Sequence, residues 1–278
     1  MKVGLHVSIS GALDLAVDRA VSSMCDTFQI FTRSPRQWDF VELNSGAEVF
    51  RKKVASSGLW PVVVHMPYLP NLASPRREVF RASVKSLVAE VKRCELLGVP
   101  YLVTHLGSHL GSGVEAGCDR ITQAISEAFD RSTRSVSILL ENTAGSKNSI
   151  GSTFEEISMI LERLDKTVNV CFDTCHAFAS GYDLRDEIAI GETLEKFENL
   201  IGLSRLKLLH INDSKGSLGS RLDRHEHIGL GKIGRRGFRS FLTNPKLRHI
   251  PMILETPIDE RRSDSSNIAV VRKVACPS

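Results

Sequence analysis

The sequence predicts an α/β protein folded as a single (β/α)₈ barrel, the TIM-barrel fold, and three observations support this prediction. Eight short apolar segments are spaced along 278 residues, amphipathic segments separate them, and no low-complexity linker or sequence repeat interrupts the alternation. An open doubly wound sheet is the main alternative, but it gives no reason for eight units. We therefore expect one domain over residues 1–278.

The eight apolar segments are predicted to be strands because they are short and rich in β-branched residues or leucine. They are apolar throughout, which is typical of parallel strands buried on both faces. The predicted strands are Val3–Val7, Thr27–Phe31, Pro61–Val64, Tyr101–Thr104, Val136–Leu140, Val168–Phe172, Leu206–Leu209 and Met252–Leu254.

The segments between the strands show the apolar spacing of helices. The clearest is Pro75–Leu97, where apolar residues recur every three or four positions and Gly98 provides a stop. The other predicted helices are Ala12–Ser22, Ala47–Ser57, Glu115–Arg131, Thr153–Arg163, Leu184–Ile201, Arg235–Leu242 and Asp264–Val274.

The composition excludes a membrane-spanning chain and a disulfide-rich secreted one. Hydrophobic residues make up 42% and charged residues 24%, as in ordinary globular proteins, and the six cysteines form no CxxC pair. We find neither an export signal nor a stretch of about 20 apolar residues, so we expect a cytoplasmic protein without membrane contact. The net charge of +4 is compatible with a polyanionic partner but weakly diagnostic.

Residues that can bind metals stand at the ends of six consecutive predicted strands, from the third to the eighth. In a barrel the C-terminal strand ends converge on one face, where catalytic residues gather. One such residue is more often a loop or capping residue, but recurrence at six strand ends argues against chance. The residues are His65, His105, Glu141, Asp173 with His176, His210 followed by Asp223 and His225, and Glu255.

These nine side chains, five histidines and four carboxylates, are predicted to bind several metal ions. Four carboxylates in a confined site repel one another unless cations compensate them. Imidazole and carboxylate ligands without thiolate suit Zn²⁺ or Mn²⁺ in a catalytic site, and nine ligands suffice for two or three ions. Of the other histidines, which are expected to have no such role, His6 ends the first strand and could line the same face.

Several segments also resemble the signatures of the endonuclease IV family of apurinic/apyrimidinic (AP) endonucleases of DNA base-excision repair. The resemblance spans essentially the whole chain, with two departures, at Ser146–Asn148 and in the loop after His65, that concern expected DNA contacts. The matching segments are GLHVSISGAL, FTRSPRQW, GSHLGSG, ENTAG, FDTCHAFASGYDLR, HINDSKGSLGSRLDRHEHIGLGKIG and ILETP.

The resemblance implies three metal ions, usually Zn²⁺, with Mn²⁺ as an alternative in some sites. By position, the first ion would be held by His65, His105 and Glu141, the second by Glu141, Asp173, His210 and Glu255, and the third by His176, Asp223 and His225. It also implies a monomer that hydrolyses the phosphodiester 5′ to an abasic site, leaves a 3′-hydroxyl and trims blocked 3′ ends. Glu141 would bridge two ions, and Glu255 would be the base that orients the attacking water.

Duplex DNA with abasic sites or blocked 3′ ends is therefore the expected partner. Arg36 and Tyr68 match residues that the family inserts at the lesion, where no base has to be unstacked. Basic residues near the strand ends are expected to contact phosphates. They are Arg33, Arg221, Arg224, Lys232, Arg235 and Arg236.

Two other functions stay open on the residues alone. A sugar isomerase or epimerase on a related barrel would use Glu141, Asp173, His210 and Glu255, but it would need neither the other five ligands nor a basic rim. A metal-stabilised DNA-binding module without catalysis is the second, and the four carboxylates argue against it because structural zinc sites usually prefer thiolates.

Overall fold

A computed structural model describes residues 1–39, 43, 46–164 and 167–276, and its main feature is a closed barrel of eight parallel strands. Around the barrel the strands follow chain order, β1 to β7 and then β10, which pairs again with β1. The predicted fold class is confirmed. Within the described ranges the strands are β1 (Val3–His6), β2 (Thr27–Ile30), β3 (Val62–His65), β4 (Tyr101–Thr104), β5 (Ser137–Glu141), β6 (Val168–Asp173), β7 (Leu206–His210), β8 (Asp213–Ser214), β9 (His225–Glu226) and β10 (Met252–Leu254).

Helices connect the strands and cover the outside of the barrel. Among the described residues, none of them is long and apolar enough to span a lipid bilayer. They are α1 (Leu15–Ser22), α2 (Gly46–Ser57), α3 (Arg77–Leu97), α4 (Val114–Phe129), α5 (Phe154–Leu161), α6 (Thr174–Ser180), α7 (Glu187–Leu200), α8 (Gly234–Thr243) and α9 (Asp264–Ala275), with a 3₁₀ turn at Leu203–Arg205.

The barrel interior explains why the predicted ligands point into one place. Six apolar side chains fill a layer inside the barrel: Val63, Val103, Leu139, Cys171, Leu208 and Ile253. Each of them stands two positions before a predicted ligand. Because side chains alternate between the two faces of a strand, the residue two positions later also points inward. The six predicted ligands therefore form the next layer, at the C-terminal ends of the strands, which we call the strand-end face.

Two short elements place His176 and His225, which lie beyond the barrel strands, at the strand-end face. Helix α6 starts directly after β6, and the Asp173 carboxylate caps it by accepting a hydrogen bond from the His176 backbone N–H at 2.7 Å. The loop after β7 folds back as an antiparallel pair, β8 with β9, in which Ser214 lies opposite His225. These elements, which the apolar pattern did not predict, bring His176 and His225 to the same face.

Candidate metal centre

The nine predicted ligands lie together in three groups on the strand-end face. Within each group, one nitrogen or oxygen atom from every member lies within 4.8 Å of the others. The groups are His65, His105 and Glu141; Glu141, Asp173, His210 and Glu255; and His176, Asp223 and His225. A further grouping joins Cys175 to Asp173 and His225, which the sequence reasoning missed because it considered only imidazole and carboxylate ligands.

Glu141 belongs to two of the groups because its two carboxylate oxygens face different partners. Its Oε2 lies 3.1 Å from His65 Nε2 and 3.5 Å from His105 Nε2. Its Oε1 lies 3.0 Å from His210 Nδ1, which is also 3.4 Å from Glu255 Oε2. A fully buried carboxylate in this position can bridge two cations, one on each oxygen.

The third group is built from residues on α6, β9 and the loop before β9. Asp223 Oδ1 lies 3.3 Å from His176 Nε2 and 3.4 Å from His225 Nε2. The Asp223 side chain is 56% exposed, whereas Glu141 and Asp173 are fully buried. This group is therefore the one that opens most toward solvent.

Hydrogen bonds at Nδ1 fix the orientation of three of the histidines. His65 Nδ1 contacts the Met66 carbonyl at 2.7 Å, and His176 Nδ1 contacts the Asn142 carbonyl at 3.0 Å. His225 Nδ1 lies 3.1 Å from the Glu255 carbonyl. Carbonyl oxygens only accept, so these contacts place the proton on Nδ1 and leave the Nε2 lone pair free for a cation.

Two buried asparagines that sequence reasoning missed support the carboxylates. Asn212 Nδ2 donates to Asp173 Oδ2 at 2.7 Å, and Asn212 Oδ1 accepts from the Glu255 backbone N–H at 2.8 Å. Asn142 pairs with the Asp173 backbone through both of its amide atoms. The signal was available in the sequence, since Asn142 follows Glu141 directly and Asn212 stands two positions after His210.

Gln29 and His6 complete the floor of the site beside His210 and Glu255. Gln29 is fully buried on β2, and its side chain contacts both predicted ligands and His6. The expectation that His6 could line this face holds, since its ring lies 6.3 Å from that of His65. Gln29 was missed because an amide is not a metal-ligand signal.

The site concentrates negative charge in a buried place. Burial by itself would raise the pKa of Glu141, but the charges of His105 and His210 hold that pKa well below its usual range. Burial would likewise lower the pKa of His210, but Cys171, Glu255 and Glu141 raise it well above its ordinary value. The carboxylates therefore require positive charge beside them, and protonated histidines or bound cations can provide it.

The four residues predicted to touch DNA all lie at the surface. Arg36, Tyr68, Arg224 and Lys232 are exposed, and Tyr68 stands beside His105 with ring centroids 6.5 Å apart. Tyr68, His105, His176 and Asp223 line a pocket of about 300 Å³, together with Ser146 from the departing loop. The loops that carry Tyr68 and Ser146 therefore lie directly beside the predicted metal ligands.

Arg33 does not belong to the basic rim where the sequence had placed it. Its side chain is buried and donates from Nε to Glu90 Oε1 at 2.7 Å. A phosphate cannot reach a guanidinium that is enclosed in this way. Arg221, Arg224, Lys232, Arg235 and Arg236, the other predicted phosphate contacts, are exposed.

A buried carboxylate shapes the turn that carries Lys232. Asp213 accepts backbone hydrogen bonds from Gly229, Gly231 and Ile233 at 2.9 to 3.0 Å. Any side chain at Gly231 would collide with this carboxylate, because a Cβ there would lie 2.5 Å from Asp213 Oδ1. The glycine-rich turn is therefore folded around Asp213, which sets where Lys232 projects.

Known proteins resemble this chain over nearly its full length. A family model described as xylose isomerase-like TIM barrel matches residues 17–273. The chain is 56% identical to "Probable endonuclease 4" of Methanoculleus marisnigri over 277 residues, 98% of each protein. It is 49% identical to the protein of the same name from Nitrosopumilus maritimus, covering 99% of this chain and 100% of the relative.

Solved structures agree with the sequence relatives. Endonuclease IV from Thermus thermophilus superposes with a TM-score of 0.88 at 36% identity, covering 99% of this chain and 98% of that one. A D-tagatose 3-epimerase-like protein has a TM-score of 0.76 at 22% identity, with 99% and 97% coverage, and shows only that the barrel is shared. The relatives and the fold thus agree with the family signatures in the sequence, and the chain belongs to the endonuclease IV family.

Proposed function

We propose that this protein is a metal-dependent AP endonuclease of DNA base-excision repair. It hydrolyses the phosphodiester 5′ to an abasic site, leaves a 3′-hydroxyl and trims blocked 3′ ends. The observation that carries the proposal is the division of nine side chains into three groups, two of which share Glu141. A sugar epimerase would need only the group of Glu141, Asp173, His210 and Glu255.

The donor set fits three divalent ions, which we propose to be Zn²⁺, with Mn²⁺ as an alternative in some sites. Imidazole nitrogens and carboxylate oxygens suit both metals, and the second ring nitrogens are already held by oxygen acceptors. The ligands would be those of the three groups, with Glu141 in two of them. Bound there, such ions neutralise phosphate charge and acidify water at neutral pH.

Glu255 is the residue that we propose takes the proton from the attacking water. Its side chain is 18% exposed, whereas the other two carboxylates of its group are fully buried. A base must reach the proton that it removes, and Glu255 can meet solvent from this position. Although burial would raise its pKa, the charge of His210 holds that pKa well below its usual range, so Glu255 is ionised at neutral pH.

The DNA partner is proposed to lie across the strand-end face, with the chain acting as a monomer. Tyr68 is 59% exposed and packs edge-on against Phe31, with centroids 5.2 Å apart, so it projects beside the ligand groups. Arg36 lies on the neighbouring loop, which follows β2. Arg224 and Lys232 supply positive charge for phosphates, which is the term that dominates affinity for DNA.

Incision of defined duplexes tests the proposal. A 5′-labelled duplex with one tetrahydrofuran abasic analogue is incubated with metal-loaded protein, with chelator-treated protein and beside an undamaged duplex. We expect one incision 5′ to the analogue, a product that a polymerase can extend, and no product after chelation. Absence of incision by the metal-loaded protein would contradict the endonuclease function, and ketose epimerisation by the same sample would favour the sugar enzyme.

A further inference from the structure

Gln29 is a fully buried amide in direct contact with two proposed metal ligands. It stands on β2 between His6 of β1 and Val63 of β3 in the strand register. Its Oε1 lies 2.8 Å from His210 Nε2, and its Nε2 lies 2.6 Å from Glu255 Oε1. One side chain thus contacts both an imidazole and a carboxylate of the group formed by Glu141, Asp173, His210 and Glu255.

The two nitrogens of His210 face opposite surroundings. Nδ1 lies within 4.0 Å of carboxylate oxygens from Glu141, Asp173 and Glu255. A cation among these oxygens would therefore take the Nδ1 lone pair, and the ring proton would have to sit on Nε2. Gln29 Oε1 is an acceptor placed to receive that proton, so the contact favours the tautomer that the metal needs.

Glu255 is oriented by the other end of the same amide. Gln29 Nε2 donates to Oε1, and the second oxygen, Oε2, lies 3.4 Å from His210 Nδ1. The remaining amide proton points to His6 Nδ1 at 2.9 Å, and the His6 ring rests on Phe31 with centroids 4.3 Å apart. One Glu255 oxygen is thereby held by protein while the other stays directed at the cation position.

The amide has one favourable orientation. If it were reversed, its oxygen would face the Glu255 carboxylate and its N–H groups would face the protonated Nε2 of His210. Both contacts would be repulsive, and the Gln29 side chain is fully buried, so water could not relieve them. We propose that Gln29 is a positioning residue of the metal centre, which fixes the tautomer of His210 and the rotamer of Glu255; this inference rests on the proposed function.

Removing the amide should weaken the hold on metal while leaving the barrel intact. Loss of a hydrogen-bonding partner behind a metal ligand typically costs roughly 10- to 100-fold in metal affinity or activity. Gln29→Leu keeps the size of the side chain and removes both contacts. Gln29→Glu keeps the shape of the side chain but places a second carboxylate against Glu255. We expect it to lose at least as much metal affinity as Gln29→Leu.

Thr27→Val is the matched control. Thr27 lies on the same strand, is fully buried and donates a hydrogen bond to the Pro61 carbonyl, away from the ligand groups. The control therefore removes a buried hydrogen bond from β2 with little change in volume. Any general weakening of the strand would appear in this variant as well.

Zinc release into a chromophoric chelator separates the outcomes. We expect the zinc ion of the His210 and Glu255 group to leave Gln29→Leu at least roughly 10-fold faster than it leaves the wild type. The release rates of Thr27→Val should equal those of the wild type. Equal release rates for Gln29→Leu and the wild type would overturn the positioning role. A wild-type chain that binds no zinc would instead overturn the proposed metal centre.

The tautomer of His210 is measurable in the wild type alone, so the inference does not depend on any variant folding. Long-range ¹H–¹⁵N spectra of the zinc-loaded protein should show His210 with its proton on Nε2 and slow exchange with water. A proton on Nδ1 of His210 would contradict the proposal.

Discussion

At the scale of single residues, Glu141 links two of the three groups, because each of its carboxylate oxygens contacts the residues of a different group. The sequence predicted Glu141 at a strand end, and it also predicted the other eight residues as candidate ligands. It could not predict which oxygen faces His65 and which faces His210, because that depends on a rotamer set by packing. It also missed Gln29 and Asn212, whose amides matter only through contacts across the barrel.

The role of Glu255 is tested by Glu255→Gln, with Glu260→Gln as the control because Glu260 is exposed just beyond β10. The amide cannot take a proton from water, and a general base typically contributes about 10²- to 10⁴-fold. We expect incision of abasic duplex to fall by roughly that factor in single-turnover assays, and to be unchanged in the control. Full activity in Glu255→Gln would disprove the assigned role.

Buried thiols away from the site predict how stability depends on pH. Burial raises the pKa of Cys25 to about 12 and of Cys118 to about 11, from an ordinary value of 9.0, and raises that of Cys94 well above it. Above about pH 9 the unfolded chain releases protons that the folded chain keeps, so the free energy of unfolding falls as pH rises. Each thiol contributes at most about 1.4 kcal/mol per pH unit.

Urea midpoints at pH 8, 9 and 10 measure this dependence at constant metal loading. We expect the midpoint to fall over this range, and to fall less in Cys118→Ala. Cys276→Ser serves as the control because Cys276 is exposed. Identical midpoints from pH 8 to pH 10 would contradict the expectation.

At the scale of elements, a buried ion-pair network joins the loop after β2 to α3. Glu90 on α3 accepts from Arg33 Nε at 2.7 Å and from the Thr32 hydroxyl at 2.6 Å, and Arg93 donates to the same hydroxyl at 2.7 Å. Arg33 Nη1 also donates to the Gln37 carbonyl at 2.6 Å. The loop segment that carries Arg36 is therefore anchored on both sides.

Glu90→Ala should destabilise the protein by about 3–5 kcal/mol, because it leaves buried guanidinium groups facing no carboxylate. The control is Glu48→Ala on α2, which breaks an exposed ion pair with Lys52 and should cost about 1 kcal/mol or less. Chemical unfolding of the two variants measures the difference. Equal small losses would show that the network does not hold the loop.

The barrel strands and the outer helices were predictable from the sequence because their apolar patterns persist over several residues. Four predicted strands stopped one residue early, since the pairing continues into the polar residues predicted as ligands: Pro61–Val64, Val136–Leu140, Val168–Phe172 and Leu206–Leu209. Helix α6 and the β8–β9 pair were missed. They are short, and a cap and a long-range pairing define them rather than a hydrophobic period.

At the scale of the whole molecule, metal binding should stabilise the fold. Ions that bind only the folded chain add about 4 kcal/mol at a thousand times their dissociation constant. Chelation should therefore lower the urea midpoint, because the carboxylates of the strand-end face are then compensated less well. Excess zinc should restore the midpoint. Equal midpoints with and without metal would contradict this prediction.

The family and the fold class of the whole chain were predicted correctly. An eight-stranded barrel appears in the sequence as eight apolar segments, and the family signatures run along the full sequence. A single domain over residues 1–278, a monomeric state and a cytoplasmic location stay predictions. They depend on surfaces and surroundings that a pattern of buried residues does not specify.

The central claim, that nine side chains on the strand-end face form a three-ion centre, is tested most directly by anomalous diffraction. Crystals of zinc-loaded protein are measured on both sides of the zinc absorption edge. We predict three peaks, one in each ligand group, with the Glu141 carboxylate between two of them and bond lengths of about 2.0 to 2.2 Å. An anomalous map without peaks among these nine side chains would contradict the account.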